Sequence, residues 1–198
     1  MCEPLCGEAA RDDVDDIGFV RALIDELAVS MNIDLRRVYA TGFSNGAIIV
    51  YRLACELSDQ IAAIGPVAAT QILDDQEVCH PARSVPIIHF HGTADNLNPY
   101  EGGTTSAGFE FLSVEEAMGF WAEWNACAIP PQRSESGTIL HDVYNRCSQG
   151  SALELYTVEG GEHAWPGGEA VSAQIGEPTM EISASQLIWE FFNAHPMP

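Results

Sequence analysis

Arg37-Val38-Tyr39-Ala40-Thr41-Gly42-Phe43-Ser44-Asn45-Gly46 is the stretch on which the fold turns. Arg37 to Thr41 reads as a short strand rich in β-branched and aromatic residues, Gly42 to Gly46 as a tight turn, and Ala47 to about Leu57 as an apolar helix. Strand, turn and helix in that order form half of a βαβ unit. The turn has the form G-x-S-x-G, in which a serine sits on a strained corner with its hydroxyl exposed, and the flanking glycines are expected to prevent clashes between strand and helix. Five residues alone are a weak signal, but the strand before and the helix after supply the setting the pattern requires.

Working outward, the same alternation continues. Between Asp12 and about Met31, Ile17, Val20, Leu23, Ile24, Leu27 and Ala28 recur at helical spacing, with the acids Asp12 to Asp16 at the favourable N-terminal end. Ile61 to Ala69 and Val85 to His91 are apolar runs of the kind found in strands buried on both faces of a parallel sheet. Ser113-Val114-Glu115-Glu116 resembles a capping box opening a helix to about Trp124, Leu153 to Val158 reads as a strand, and Ser183 to Ala194 as a closing aromatic helix. From Cys127 to Gly150 the chain is polar and rich in Pro, Ser and Gly, which predicts a long surface excursion. Strands alternating with helices over 198 residues indicate one α/β domain, residues 1–198, around a mostly parallel sheet.

A serine hydroxyl needs a base to remove its proton and a third group to orient that base. Two loops after later strands offer them: Gly92-Thr93-Ala94-Asp95 and Gly160-Gly161-Glu162-His163-Ala164-Trp165-Pro166-Gly167-Gly168. Serine, acid and then histidine is the chain order of α/β-hydrolases, so Ser44, Asp95 and His163 are the expected nucleophile, acid and base. His91, at a strand end before Gly92, is expected to pack behind the site. Trp165 is expected to wall the pocket or to bury its loop.

Composition narrows the partners. A formal charge of −21, from 29 acids against 8 basic residues that are all Arg, would repel nucleic acid and anionic membranes. No phosphate-binding or dinucleotide glycine motif occurs, the carboxylates of Asp12 to Asp16 are misplaced for a calcium loop, and the cysteines lack the paired spacing of a zinc site. Neither a metal nor an organic cofactor is therefore expected. Six cysteines, Cys2, Cys6, Cys55, Cys79, Cys127 and Cys147, suit disulfides, with fifteen connectivities open to sequence arithmetic.

In combination these residues resemble the polyhydroxybutyrate depolymerase-like and feruloyl esterase group of α/β-hydrolases. The resemblance is carried by Cys6-Gly7-Glu8-Ala9, Val14-Asp15-Asp16-Ile17-Gly18-Phe19, Arg37 to Gly46, Tyr51-Arg52-Leu53-Ala54-Cys55, His91 to Asp95 and His163 to Gly168. It implies a three-layer α/β-hydrolase fold, hydrolysis of short-chain, polyhydroxyalkanoate or feruloyl-type esters by Ser44, Asp95 and His163, and oxyanion and substrate contacts from Phe43, Asn45, Tyr100 and Trp165. It further implies disulfides Cys127–Cys147 and Cys55–Cys79 and a secreted protein, although no signal peptide is visible in this chain.

Group members carry, ahead of the block at Cys6, several strands and a His-Gly loop supplying half of the oxyanion hole. The chain therefore reads as N-terminally truncated. The Asn45 amide is expected to act alone, at a cost of about 10²–10³ in turnover. The strand at Arg37 to Thr41 is expected to be an open edge that a homodimer would cover. The rival expectation is a weakened or inactive hydrolase fold that acts by binding or pairing.

Overall fold

A computed structural model describes residues 12, 14–72, 79–104, 108, 110–170 and 176–198. Cys2, Cys6 and the block Cys6 to Ala9 lie outside the described residues. The first described element is α1 (Asp16–Ser30), whose start is set by Asp15: its carboxylate accepts the Gly18 amide, so the acids here cap a helix. A 3₁₀ turn (Leu35–Arg37) leads into β1 (Tyr39–Phe43), followed directly by α2 (Asn45–Glu56). The strand thus begins two residues later than its composition suggests. Asp34 accepts the Arg36 amide and winds the preceding residues into a turn.

β2 (Ala63–Val67) and β3 (Ile87–Gly92) are buried along their whole length, as continuous apolar runs in a parallel sheet should be. Gly103–Thr104 (β4) and Glu110–Phe111 (β5) pair as a small separate hairpin. α3 (Val114–Trp124) opens with the expected capping box between Ser113 and Glu116. β6 (Gln132–Ser136), β7 (Ile139–Tyr144), β8 (Leu153–Val158) and α4 (Ala184–Ala194) complete the order.

The six-stranded sheet runs β1-β2-β3-β8-β7-β6; the first four strands are parallel and the last two antiparallel to their neighbours. One face packs Ile64, Ile87, Leu153 and Leu155 against Ile24, Val50, Tyr51 and Trp121 of α1, α2 and α3. The other packs Val67, Ile88, Phe90 and Val158 against Ile188, Phe191 and Phe192 of α4. Three layers result. Among the described residues, no helix is long and apolar enough to cross a membrane.

One expectation needs correction. The stretch from Cys127 to Gly150 is not an excursion: it contributes β6 and β7 to the sheet. β6 is exposed at every residue, so it has no buried face to betray it, and its pairing rests on backbone bonds and on the ion pair between Arg133 and Asp142 of β7 (2.6 Å). A charged, polar outer strand also discourages edge-to-edge association. The disulfides Cys55–Cys79 and Cys127–Cys147 are both present, the first joining α2 to the segment before β3, the second joining the end of α3 to the turn after β7.

Arg83, to which sequence patterning assigns no role, ties α2 to the sheet. Its guanidinium donates to the carbonyls of Ser58 (2.7 Å), Ser84 (2.6 Å) and Ala62 (2.9 Å), and also to that of Ile61. The Ser58, Ile61 and Ala62 carbonyls lie between α2 and β2, and partial burial holds the Arg83 pKa below its usual value. Arg83→Met, which keeps the stem but removes the fork, is expected to lower the unfolding free energy by about 2–4 kcal/mol, as for lost hydrogen bonds to a charged group. Urea titration would measure it.

Candidate active site

β1, β3 and β8 are parallel, so their carboxyl ends open on one edge of the sheet, where α/β proteins place their ligands. Ser44 follows β1, Asp95 lies three residues beyond β3 and His163 five beyond β8. The topology thus brings all three expected residues to one side of the domain.

Ser44 occupies φ 56°, ψ −119°, a region costly for any residue with a side chain. It stands at the N-cap of α2, yet its side chain makes no capping bond, so the hydroxyl is not spent on the helix. Asn45 is the first residue of α2, and helix N-termini leave amide donors without intrahelical acceptors. The corner is forced by Gly42, where an added Cβ would run into the backbone of Gly46. The two glycines are not equivalent, contrary to expectation: a Cβ on Gly46 would meet nothing within 4 Å. The tight contact is one-sided, because the Cα–H of residue 42 points into the helix while that of residue 46 points away.

The Asp95 and His163 loops are clasped together. The Thr93 amide donates to the Val158 carbonyl (3.0 Å), the Ala94 amide to Gly161 (2.8 Å), and the Gly160 amide to the Thr93 hydroxyl (2.8 Å). Any Cβ on Gly92 would strike the Gly161 backbone, so glycine is what lets the loops approach. Asp95 Oδ1 accepts the amides of Leu97 (2.9 Å) and Asn98 (2.8 Å), leaving Oδ2 for His163 Nδ1 at 2.7 Å. A carboxylate only accepts, so Nδ1 carries the proton and Nε2 of His163 keeps its lone pair, the tautomer a general base needs. Both side chains are almost wholly buried.

Phe43 lies against the His163 ring (centroids 4.8 Å) and meets Trp165 edge-on (6.5 Å). Trp165 is half-buried and donates from its indole N–H to Ser185 at the start of α4 (3.0 Å), which pins the base loop to that helix. Tyr100 is turned inward: its hydroxyl is 2.9 Å from that of Thr157, and its ring meets His91 edge-on. Sequence reasoning missed Thr93, Gly161 and Asn98 as supports of the acid and base. Asn98 donates from its side chain to the Ala68 carbonyl beyond β2 (3.1 Å). It also missed Tyr51 and His89, although two histidines at strand spacing in an otherwise apolar run were a legible signal. Among the described residues, no cluster of three His, Cys, Asp or Glu could hold a metal ion.

Two outcomes follow from this geometry. Asp95→Asn is expected to reduce turnover by about 10³–10⁴-fold while leaving the circular dichroism spectrum unchanged, because an amide N–H opposite Nδ1 favours the wrong tautomer. Gly42→Ala is expected to yield little folded protein, whereas Gly46→Ala is expected to express and melt within a few degrees of the parent; parallel thermal melts would check the asymmetry.

Comparison with known proteins agrees with this architecture. The model of the phospholipase/carboxylesterase family matches residues 12–117, more than half of the chain. Feruloyl esterase B of Piromyces equi is 35% identical over 159 residues, covering 77% of this chain and 29% of that protein. Feruloyl esterase C of Emericella nidulans is 26% identical over 188 residues, covering 93% of this chain and 60% of the relative. The chain therefore spans less than two thirds of the length of either. Among solved structures, the acetyl xylan esterase from Aspergillus awamori superposes with a TM-score of 0.59 at 14% identity, covering 90% of this chain and 67% of that one, a likeness of fold. With its sheet, its strained serine corner and its acid and base loops in that order, the chain belongs to the phospholipase/carboxylesterase family of α/β-hydrolases.

Proposed function

We propose that the protein is a serine carboxylic-ester hydrolase in which Ser44, His163 and Asp95 form a catalytic triad. The observation that carries the reading is the 2.7 Å bond between His163 Nδ1 and Asp95 Oδ2, together with an uncommitted hydroxyl on the strained corner at Ser44. His163 Nε2 takes the Ser44 proton as the oxygen attacks the ester carbonyl, and the tetrahedral intermediate places its negative charge near the Asn45 amide. The alcohol leaves with the proton that His163 returns, giving an acyl-serine. Water, deprotonated by the same histidine, then releases the acid and restores Ser44. Asp95 holds the ring in place and stabilises its charged form throughout.

The relatives named as feruloyl esterases favour feruloyl esters as the substrate, with Phe43 beside the base and Trp165 next to it as the apolar wall. Short-chain and polyhydroxyalkanoate esters are the competing class, and a panel of feruloyl, acetyl-sugar and hydroxybutyrate esters separates them. Two disulfides accord with an extracellular location. Among the described residues β1 pairs only with β2, so its outer edge is the surface through which a homodimer would form. Light scattering that finds a monomer at micromolar concentration would rule the dimer out.

The alternative, a fold that binds without turning over, is decided at Ser44. A fluorophosphonate probe is expected to label the parent protein and not Ser44→Ala, and Ser44→Ala should lose at least about 10³-fold in hydrolysis of a p-nitrophenyl ester. Unlabelled parent protein, or equal turnover by the variant, would refute the hydrolase reading.

A further inference from the structure

Behind Asp95 lies a buried polar array that the hydrolytic steps do not use. His89 and His91, two apart on β3, face the same side of the sheet and are 0% and 2% exposed. His89 Nε2 lies 3.1 Å from His91 Nδ1. At one end the Tyr51 hydroxyl, from α2, lies 2.8 Å from His89 Nδ1. At the other, His91 Nε2 is 2.8 Å from the Asn98 carbonyl oxygen and 3.5 Å from Asp95 Oδ2.

The terminal acceptors set the direction of the whole array. A carbonyl and a carboxylate can only accept, so His91 Nε2 carries a proton. A neutral imidazole then has a bare Nδ1, which must receive the proton of His89 Nε2. His89 Nδ1 is bare in turn, so Tyr51 must donate. Every bond points from α2 toward Asp95. Burial, helped by His91, holds His89 well below its usual pKa; burial also lowers His91, against the opposing pull of the Asn98 carbonyl and Asp95, and pushes Tyr51 far up, so the array is read with all three groups neutral. The groups facing His91 are His89 on its own strand, Asp95 and Tyr100 from the following loop, and His163 from the loop after β8. Three polar side chains in the face that also buries Val50 and Trp121 are costly unless each is satisfied, and here each is.

We propose that Tyr51, His89 and His91 form a one-way hydrogen-bond chain that makes His91 a positioning residue for Asp95. Its Nε2–H fixes the Asn98 carbonyl, and with it the turn whose Leu97 and Asn98 amides hold Asp95 Oδ1. The same N–H dipole faces the Oδ2 that receives His163. The role rests on the reading of Ser44, Asp95 and His163 as an ester-hydrolysing triad; the chain itself does not.

Two measurements on the intact protein test these parts separately. Nitrogen-15 shifts of the imidazole rings at about pH 8 are expected to show both His89 and His91 with Nε2 protonated and Nδ1 bare, and His89 without titration between about pH 5 and 8, where an ordinary histidine changes charge. A protonated Nδ1 on either neutral ring, or titration of His89 in that range, overturns the chain. For the positioning role, His91→Gln keeps an N–H donor and His91→Met matches its length without one. In His91→Met, kcat on a p-nitrophenyl ester is expected to fall about tenfold at unchanged KM, the order for one hydrogen bond near a charged group. The acid limb of kcat/KM should also move to higher pH, because the lost dipole leaves more negative potential at the pair that holds the proton. His91→Gln should recover most of both. Equal losses in the two variants with an unmoved pH profile, or no loss in either, overturn the role. If neither variant folds, Tyr51→Phe deletes only the outermost donor: His89 is expected to keep its proton on Nε2 while its bare Nδ1 signal moves as that nitrogen loses its hydrogen bond, and a proton found on Nδ1 or an unmoved Nδ1 signal overturns the chain. An inactive parent with the expected ring signals would overturn the hydrolase reading and the positioning role together, whereas an active parent with the wrong signals would overturn the chain alone.

Discussion

At Gly42 the backbone of β1 runs against the backbone of Gly46 with no room for a methyl group between them. Much of the site depends on that contact. A strand can pass into a helix over so short a turn only if its last residues lie almost on the helix, and the corner residue then takes positive φ. Ser44 is that residue, which is why its side chain stands clear of the helix it would otherwise cap. The strain is sustained by α2, whose buried face of Val50, Tyr51, Leu53 and Ala54 packs on the sheet and whose far end is tied down by Arg83 and by the Cys55–Cys79 disulfide.

A second constraint of the same kind sets the acid and base. Glycine at position 92 allows the loop after β3 to lie against the loop after β8, and three hydrogen bonds then lock the pair. The bond between His163 and Asp95 is short because both loops are already fixed. Neither side chain has to be drawn into place at the cost of its own rotamer freedom. Asn98 extends the clasp to β2 through the Ala68 carbonyl, so the acid loop is braced from the two strands that flank β3.

Local signals were sufficient where one face of an element is buried or an end is capped. The capping box at Ser113, the closing helix from Ala184 and the buried strand from Leu153 to Val158 appear at or within a residue of their expected places. They failed where pairing alone makes the structure. β6 has five exposed residues and no hydrophobic alternation, and only β7 beside it makes a strand of it. The same limit applies to Arg83: apart from Ser84 beside it, its acceptors are backbone carbonyls 21 to 25 residues away in the chain and carry no side-chain signature.

The sequence by itself determined the α/β class, the order of strand, serine corner and helix, and the identities of Ser44, Asp95 and His163 as candidates, because glycine placement, apolar periodicity and chain order are local properties. Tertiary structure alone decided that Gly42 is the indispensable glycine, that the acid and base loops are clasped through Gly92, and that His91 stands behind Asp95 at the end of a directed chain from Tyr51. Those facts depend on which backbone lies within a few ångströms of which, and on which groups can only accept a proton. Strand spacing could put His89 and His91 on one face; only the packed sheet supplied Tyr51 at one end and the Asn98 carbonyl at the other, and so gave the pair its direction.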